Sequence, residues 1–265
     1  ERLGRGAFGE VWKARHTELK NERVAIKFFT DLENAEVVFR EARVQDTARG
    51  PGVAAIRDVD WKGSLPLIVM EYLPGGSLRE RLNKEKRISP EESARIALQL
   101  ARTLSHVHAN NIAHLDLKPE NLLFAEDGSL RVADFGISRA VRLRRAEQTL
   151  KDSLHTGQHS TLSDSAGLGT LQYMSPEQKD GSTSIDIRAD IYSFGIILFE
   201  MLTGERPSGK EVPSDLINGL PAWCDEVFEM CYTRAEQRAT ASELVSTLEF
   251  EKEVRVMRGS DGKML

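Results

Sequence analysis

The apolar residues of this chain change their spacing at Pro74-Gly75-Gly76, and that change limits the folds open to it. Before these residues the apolar positions alternate with polar ones, which is typical of strands. After them the apolar positions recur with the period of a helix. A chain of 265 residues is long enough for one large domain or for two lobes that share a cleft. We therefore predict an α+β fold, with a small β-rich lobe joined near residue 73 to a larger helical lobe.

Short runs rich in β-branched and aromatic residues predict the elements of the first lobe. The predicted strands are Val11–Arg15, Arg23–Phe29, Ala54–Trp61 and Pro66–Tyr72, and the predicted helix is Ala35–Arg49. The helical pattern ends at Gly50-Pro51-Gly52, because glycine and proline interrupt helices. The first lobe is therefore expected to be a sheet with one helix.

A capping pattern marks the first long helix of the second lobe. Ser89 stands at the N-cap, Pro90 at the first helical position and Glu92 three residues after the cap. Further helices are predicted at Ala189–Thr203, Ala222–Tyr232 and Ala241–Phe250. Beyond Phe250, the segment Val254-Arg255-Val256-Met257 fits a strand that leads into a further domain.

Composition and charge exclude several classes of protein. Apolar residues make up 40% of the chain and charged residues 29%, so a disordered or fibrous chain is excluded. The net charge of −5 gives no general attraction to nucleic acid or to an anionic membrane, and we expect neither as a partner. No apolar run approaches the ~18 residues that a membrane span needs. The most apolar stretch, Ile191–Leu202, is interrupted by Ser193 and Glu200.

The two cysteines, Cys224 and Cys231, are too few for a disulfide framework and lack the CxxC spacing of a zinc site. They lie about two helical turns apart, so one helix face carries both. We expect buried thiols in a reducing compartment, which agrees with a cytoplasmic location. The chain begins with Glu1 and reaches its first motif at Gly4. We therefore expect a domain excised from a longer protein, either a cytoplasmic one or one anchored to a membrane.

The first motif is the glycine-rich segment Gly4-Arg5-Gly6-Ala7-Phe8-Gly9-Glu10-Val11. Dinucleotide-binding folds use the same glycine spacing, but there the third glycine opens a helix. Here Val11–Arg15 continues as a predicted strand, so the loop lies between two strands. Glycine has no Cβ and lets backbone amides approach phosphate oxygens. A phosphate-binding loop and a structural turn are both open on this motif alone.

Further motifs follow the glycine-rich segment in a fixed order. They are Val24-Ala25-Ile26-Lys27, the helix residue Glu41, His114-Leu115-Asp116-Leu117-Lys118-Pro119-Glu120-Asn121, Asp134-Phe135-Gly136 and Ser175-Pro176-Glu177. This set resembles the eukaryotic-type serine/threonine protein kinases, and the residues around Tyr173 resemble their bacterial members. The resemblance implies a bilobal protein-kinase-like fold. It also implies Mg-dependent transfer of the ATP γ-phosphate to Ser or Thr hydroxyls of proteins, in signal transduction.

The resemblance gives four residues a role in phosphoryl transfer. Lys27 would neutralise the α- and β-phosphates, and Glu41 would hold Lys27 in place. Asp116 would accept the hydroxyl proton or orient the nucleophile, and Lys118 would support the transferring phosphate. A surface ion pair or a turn is the plain alternative for any one of these residues. The joint occurrence of the motifs argues against that alternative.

The resemblance also implies sites for a metal and a nucleotide. Asn121 and Asp134 would present oxygens to Mg²⁺, or to Mn²⁺, because hard cations prefer oxygen ligands. Further residues would contact the phosphates or line a slot for adenine: Leu3, Gly4, Gly6, Gly9, Val11, Ala25, Met70, Glu71, Leu73 and Leu123. Packing in the core remains an alternative role for Val11, Ala25 and Leu123.

Other matches to the family concern the acceptor and the support of the site. Lys118 and Thr170 match the serine/threonine branch, because tyrosine kinases usually carry other residues there. Glu177 and Arg238 match an ion pair beneath the activation segment. Asp190 matches the acid that holds the catalytic loop by backbone hydrogen bonds. These last three residues would position the site without taking part in the chemistry.

The chain departs from the family in the hydrophobic column that links the two lobes. His114, Phe135 and Ile56 fit this column, but Gln45 stands where it has an apolar side chain, one helical turn after Glu41. A buried amide would loosen the column unless it is hydrogen-bonded. We do not infer inactivity from Gln45, because every residue with a chemical role is present.

A second departure concerns regulation. Leu115 stands where many family members carry an Arg that pairs with a phosphate in the activation segment. Constitutive activity, control from outside the domain and a neutral substitution are the alternatives.

The long segment between Asp134 and Glu177 contains a basic cluster and several Ser and Thr residues between Thr149 and Ser165. It fits either an autophosphorylation loop or a disordered insertion.

We expect the first lobe at residues 1–73, the second at 74–250, and an extension or the start of a further domain at 251–265. Proteins with Ser or Thr acceptors are the expected partners, and no pattern indicates an oligomeric state.

One rival function is a pseudokinase that binds ATP as a scaffold, which should lack one of the chemical residues. Another is a small-molecule kinase, against which Thr170 and Ser175-Pro176-Glu177 argue.

Overall fold

The computed structural model describes residues 1–6, 9–15, 23–29, 42–61, 65–135, 171–180 and 185–261. A five-stranded sheet and one helix form its first part, and the second part is mostly helical. The prediction of a small β-rich lobe followed by a larger helical lobe is therefore confirmed.

The sheet of the first lobe is antiparallel, in the order β1-β2-β3-β5-β4. Its strands are β1 Arg2–Gly6, β2 Gly9–Arg15, β3 Arg23–Phe29, β4 Ile56–Asp60 and β5 Leu67–Glu71. Burial alternates along β3, where Ala25, Lys27 and Phe29 face inward. Ile68 and Met70 of β5 pack with the apolar residues of this face. All four predicted strands are present.

β1 and β2 form the hairpin expected around the glycine-rich segment, with Gly6 opposite Gly9. Gly9 has a φ of 148°, and a Cβ there would lie 1.7 Å from the carbonyl oxygen of Phe28 in β3. Glycine at this position therefore lets β2 and β3 approach each other. At Gly4 a Cβ would meet no described atom within 4 Å. The packing of the described residues does not require glycine there.

Residues 42–47 form a helix, α1, within the described part, 42–49, of the predicted helix Ala35–Arg49. The chain turns at Gly50-Pro51-Gly52, as predicted, and this turn packs on α3 (Pro90–Ala109) of the second lobe. Gly52 has a φ of 81°, and a Cβ there would lie 1.8 Å from Oγ1 of Thr103. The turn thus holds the end of α1 against the second lobe.

The second lobe begins with two capped helices. Ser77 caps α2 (Leu78–Glu85), a helix that was not predicted from the sequence. Ser89 caps α3 by accepting from the amide of Glu92 at 3.3 Å. A two-stranded sheet and two 3₁₀ turns follow in the described part: β6 Leu122–Phe124, β7 Leu130–Val132, Pro119–Asn121 and Ala235–Gln237. The remaining described helices are α4 Pro176–Lys179, α5 Arg188–Thr203, α6 Pro213–Leu216, α7 Trp223–Cys231 and α8 Ala241–Asp261.

α5 lies in the core of the second lobe and is buried over most of its length, including Ser193 and Glu200. Its apolar character all around agrees with this position, because a helix exposed on one face shows a polar stripe. None of the helices in the described ranges is both long enough and apolar enough to cross a membrane.

Both cysteines lie on α7 and are fully buried. The prediction of core thiols on one helix face is therefore confirmed. Burial raises the pKa of the Cys231 thiol, so this side chain stays protonated at neutral pH.

The predicted strand Val254–Met257 is wrong, because α8 continues past Phe250 to Asp261. The alternation of Val254 and Val256 is typical of a strand. The residues around them are Glu, Lys, Arg and Met, which favour a helix. No glycine or proline lies between Phe250 and Arg258 to end the helix that α8 has already begun.

Candidate active site

Three of the predicted site residues meet on the loop that follows α3. Oδ2 of Asp116 accepts from Nζ of Lys118 at 2.8 Å and from Nδ2 of Asn121 at 3.2 Å. Nδ2 of Asn121 also donates to the backbone oxygen of Asp116 at 2.8 Å. The 3₁₀ turn Pro119–Asn121 folds the chain back and brings Asn121 to Asp116. The loop thus combines a carboxylate, an ammonium and an amide within hydrogen-bond distance.

Asp190 of α5 anchors this loop through hydrogen bonds to its backbone. Its fully buried carboxylate accepts from the amides of His114 and Leu115, both at 2.7 Å, and Nε2 of His108 lies 2.9 Å from its Oδ2. Leu115 has a φ of 62°, which is uncommon for a residue with a side chain. Nε2 of Gln178 donates to the carbonyl of Leu115 at 3.0 Å. Side chains therefore hold both polar groups of this strained backbone.

His114 links the loop to the segment that follows β7. Nε2 of His114 lies 2.9 Å from the oxygen of Ala133, and the amide of Asp116 donates to Nδ1 at 3.2 Å. These partners assign the proton to Nε2, because Nδ1 acts as an acceptor and a carbonyl can only accept. The ring also packs on Phe135, with centroids 4.6 Å apart. His114 and Phe135 thus form the predicted contact of the hydrophobic column, while Ile56 packs in the core of the first lobe.

Lys27 and Asp134 form an ion pair across the lobes, with Nζ 2.7 Å from Oδ1. Lys27 is 8% exposed, and Asp134 has a φ of 60°. Burial raises the pKa of Asp134, but the charge of Lys27 and its hydrogen bond outweigh burial and hold this pKa below its ordinary value. The Asp134 carboxyl is therefore ionised at neutral pH and available to a cation.

The predicted adenine-site residues fall into two apolar groups. Val11 packs with Ala25 and Met70 in the first lobe, where Ala25 and Met70 are paired between β3 and β5. Leu73 and Leu123 pack around a second, smaller group at the junction of the lobes. Leu3 lies on β1 and is 41% exposed. Glu71 lies at the end of β5, and its Oε2 accepts from the amide of Ala55 at 3.3 Å.

The structure contains the ion pair Glu177–Arg238. Nη1 and Nη2 of Arg238 donate to the two carboxylate oxygens at 2.5 and 3.0 Å. The guanidinium also lies 4.9 Å from the ring centre of Tyr192 on α5. Burial raises the pKa of Glu177, but the hydrogen bonds from Arg238 and neighbouring groups bring it below its ordinary value. The pair fixes α4 to α5 and to the chain before α8.

Gln45 of α1 is buried, and its amide is hydrogen-bonded at both ends. Nε2 donates to the oxygen of Ala54 at 2.8 Å, and the amide of Phe135 donates to Oε1 at 3.4 Å. The condition set for a buried amide in the column is therefore met. Two other predicted residues, Glu41 and Thr170, lie outside the described residues, as does the Ser- and Thr-containing stretch 149–165.

A charged cluster that was not predicted from the sequence contacts this loop through Glu120. Arg79 of α2 donates to Glu120 and Glu200, both at 2.8 Å, and also contacts the hydroxyl of Tyr173, which bonds to Glu200. The cluster joins α2 and α5 to the loop and to the segment that precedes α4. Its only signal in the sequence was Glu200, because a charge inside an otherwise apolar helix requires a buried partner.

The residues predicted to hold a metal fit a cation that is shared with phosphates. The described side-chain hydrogen bonds of Asn121 all use Nδ2 and leave Oδ1 out of these contacts. Asp134 supplies an ionised carboxylate. Within the described ranges, no three His, Cys, Asp or Glu side chains form a cage for a metal. Mg²⁺ commonly binds through one or two carboxylates together with substrate phosphates and waters, and two oxygen donors suffice for that mode.

Comparison with known proteins gives one consistent result. A model of the protein kinase domain matches residues 1–249. The "Probable serine/threonine-protein kinase PknB" of Bifidobacterium longum is 34% identical over 91% of this chain and 37% of that relative. The serine/threonine-protein kinases PknB of Mycobacterium leprae and Mycolicibacterium smegmatis are each 35% identical, over 77% and 78% of this chain and 32% of each relative. This chain spans about a third of the length of the curated relatives it matches.

Proposed function

The chain belongs to the protein kinase domain family, and from this premise we propose that it is a serine/threonine protein kinase. It transfers the γ-phosphate of ATP to Ser or Thr hydroxyls of proteins, its own included. The observation that carries the proposal is the contact of Asp116 with both Lys118 and Asn121. This arrangement joins a proton acceptor, a cation for phosphate and an amide for a metal on one loop.

In the proposed reaction the substrate hydroxyl oxygen bonds to the γ-phosphorus while the bond to ADP breaks. Asp116 orients the hydroxyl and accepts its proton. Lys118, whose ammonium lies 2.8 Å from Asp116, offsets the negative charge on the transferring phosphate. Asp190 keeps Asp116 in place through the amides of the two preceding residues.

Lys27 is proposed to bind the α- and β-phosphates, with Glu41 holding it. Asn121 and Asp134 would hold Mg²⁺, or Mn²⁺ in its place, and the half-buried ion pair of Lys27 and Asp134 supports a phosphate and a metal side by side. The bound metal would neutralise charge on the β- and γ-phosphates. Nucleotide and divalent-metal use are general in this family.

The adenine ring is proposed to lie between the two apolar groups of the site, with backbone groups of Glu71 and Leu73 at its edge. Gly4, where a Cβ would meet no described atom, leaves space for a phosphate. Gly6 and Gly9 lie opposite each other in the β1–β2 hairpin. They would keep this hairpin close to that space.

Ser and Thr acceptors are supported by Lys118 and Thr170 and by the names of the relatives. Glu177 and Arg238 would support the surface on which a peptide docks. The amide of Gln45 is hydrogen-bonded, so this polar residue in the column gives no support to a pseudokinase.

We place the lobes of this kinase at residues 1–73 and 74–250. The boundary at 250 falls inside α8, so 251–265 is proposed as an extension of the second lobe. We propose a cytoplasmic location for this domain, whether the parent protein is anchored to a membrane or not, and the use of ATP agrees with it.

The test compares wild type with Asp116→Ala in γ-phosphate transfer from Mg-ATP, to a generic Ser/Thr protein and to the chain itself. Asp180→Asn, an exposed substitution after α4, is the matched control. We expect Asp116→Ala to lower kcat by about 10³-fold while ATP affinity is nearly unchanged. Equal rates for wild type and Asp116→Ala would remove Asp116 from the mechanism. A wild type that binds ATP without transfer would be a pseudokinase.

Mapping of the labelled residues completes the test. Phosphate on Ser or Thr supports the proposed acceptor class, and label between residues 149 and 170 supports autophosphorylation of that segment. Absence of phosphate there after incubation with Mg-ATP would contradict autophosphorylation of that segment alone.

A further inference from the structure

We propose that Gln45 is a positioning residue that couples α1 to the backbone at Asp134 and Phe135. The inference rests on the proposed function, since it concerns how the metal-binding carboxylate is presented. Gln45 is 5% exposed and belongs to the first lobe, whereas Phe135 follows β7 of the second lobe. One buried side chain therefore joins the two parts of the site.

The two ends of the Gln45 amide have different partners. Nε2 donates to the oxygen of Ala54 at 2.8 Å, which fixes the side chain against the turn that precedes β4. Oε1 then faces the amide of Phe135 at 3.4 Å. Because the first contact fixes the amide group, the acceptor oxygen has a fixed position for the second contact.

The segment around Asp134 is held on both sides. The amide of Ala133 donates to the oxygen of Asn121 at 2.9 Å, and Nε2 of His114 lies 2.9 Å from the oxygen of Ala133. On the other side of Asp134, Gln45 accepts from the amide of Phe135. Asp134 itself has a φ of 60°, which a residue with a side chain keeps only when its surroundings hold it. Gln45 supplies one of the contacts that hold it.

An apolar side chain at position 45 could fill the same space but could not accept from Phe135. The buried amide of Phe135 and the oxygen of Ala54 would each lose a hydrogen bond, which is costly in a buried place. Asp134 would then leave its left-handed conformation more often. The geometry therefore assigns to Gln45 the orientation of the carboxylate that faces Lys27.

The test uses Gln45→Met, which keeps the length of the side chain without its polar atoms. Gln99→Met is the matched control, because Gln99 of α3 also accepts from a backbone amide, that of Leu130 at 2.9 Å. Its described hydrogen bonds do not reach residues 133–135. Both variants are examined by residue-resolved hydrogen exchange, by metal titration of ATP binding and by steady-state kinetics.

In Gln45→Met we expect the amide of Phe135 to exchange roughly fivefold faster, as the loss of one hydrogen bond predicts. We expect the Mg²⁺ concentration for half-maximal ATP binding to rise by a similar factor. kcat should fall while KM for the protein substrate stays the same, because only metal presentation has changed. Gln99→Met should leave the exchange of Phe135 and the metal dependence as they are in wild type.

Equal exchange of Phe135 and equal metal dependence in wild type and Gln45→Met would overturn the inference. The same changes in both variants would also overturn it, because they would report general loosening. If Gln45→Met does not fold, hydrogen exchange in wild type tests the proposal instead. A Phe135 amide that exchanges as fast as an exposed one would contradict it. A wild type without kinase activity would refute the proposed function, whereas the exchange data test Gln45 on their own.

Discussion

The ammonium of Lys27 and the carboxylate of Asp134 are 2.7 Å apart, and they join β3 of the first lobe to the chain after β7 of the second. Two opposed effects act on Asp134. Burial favours the neutral carboxyl, and the charge of Lys27 favours the carboxylate and prevails. The state in which Asp134 can bind a cation thus depends on Lys27.

Replacement of Lys27 by Met should therefore raise the pKa of Asp134, because burial remains and the strongest of the influences that lower this pKa is gone. In wild type the lowered pKa stabilises the fold at all pH values above the unfolded pKa of about 3.9. That contribution is lost as pH falls through the folded pKa. In Lys27→Met the acid limb of metal binding should move to higher pH. An NMR titration of the Asp134 carboxyl carbon measures the shift, with Lys84→Met as control. An unchanged titration would contradict the assigned role of the ion pair.

Asp190→Asn should weaken both the fold and the site. The two carboxylate oxygens of Asp190 accept from the backbone amides of His114 and Leu115. In either orientation the new side-chain NH₂ group would face one of these two donors. The loss of such charged, buried hydrogen bonds is expected to lower the free energy of unfolding by about 3 kcal/mol. kcat should fall more than KM changes, since the loop carries Asp116. Urea unfolding and steady-state kinetics check both effects, with Asp180→Asn as control. A stable and fully active Asp190→Asn would mean that the loop holds its own conformation.

The motif residues could be predicted from the sequence because phosphoryl transfer fixes their types and order, and the cap of α3 because Ser89 and the amide of Glu92 lie within one turn. Contacts between distant parts of the chain could not be predicted in this way. Glu200 signalled a buried charge, but its partner Arg79 depends on how α2 packs beside α5. The sequence also could not show which backbone groups Gln45 would meet.

The error at Val254–Met257 has a local cause. A short run with alternating valines is ambiguous, and its neighbours decide between strand and helix. α8 is already formed by Phe250, and the addition of further residues to an existing helix needs no new nucleus. The continuing helix therefore prevails over the β propensity of Val254 and Val256.

Glu92 in the first turn of α3 should give the fold a stability that depends on pH. Hydrogen bonds from Arg95 and then Arg81 lower the pKa of Glu92 to about 2, against partial burial. The stabilisation is present above the unfolded pKa of about 4.3 and is lost as pH falls toward about 2. Glu92→Gln should cost ~0.5–1 kcal/mol of unfolding free energy at pH 7 and much less near pH 2. Urea unfolding across this range tests it, with exposed Glu91→Gln as control. A constant difference would show that the charge of Glu92 is not responsible.

The pair Glu177–Arg238, in which the guanidinium is buried and the carboxylate half-buried, should behave as an ion pair whose halves depend on each other. Glu177→Gln leaves the guanidinium without its carboxylate, and we expect a loss of about 3 kcal/mol in the free energy of unfolding. Arg238→Met should cost more, because Arg238 also donates to the oxygens of Thr233 and Arg188, both at 3.0 Å. In the double variant the two losses should not add, since neither charge remains buried alone. Urea unfolding of the four proteins gives the coupling energy. Additive losses would mean that the two side chains act independently, despite the two hydrogen bonds between them.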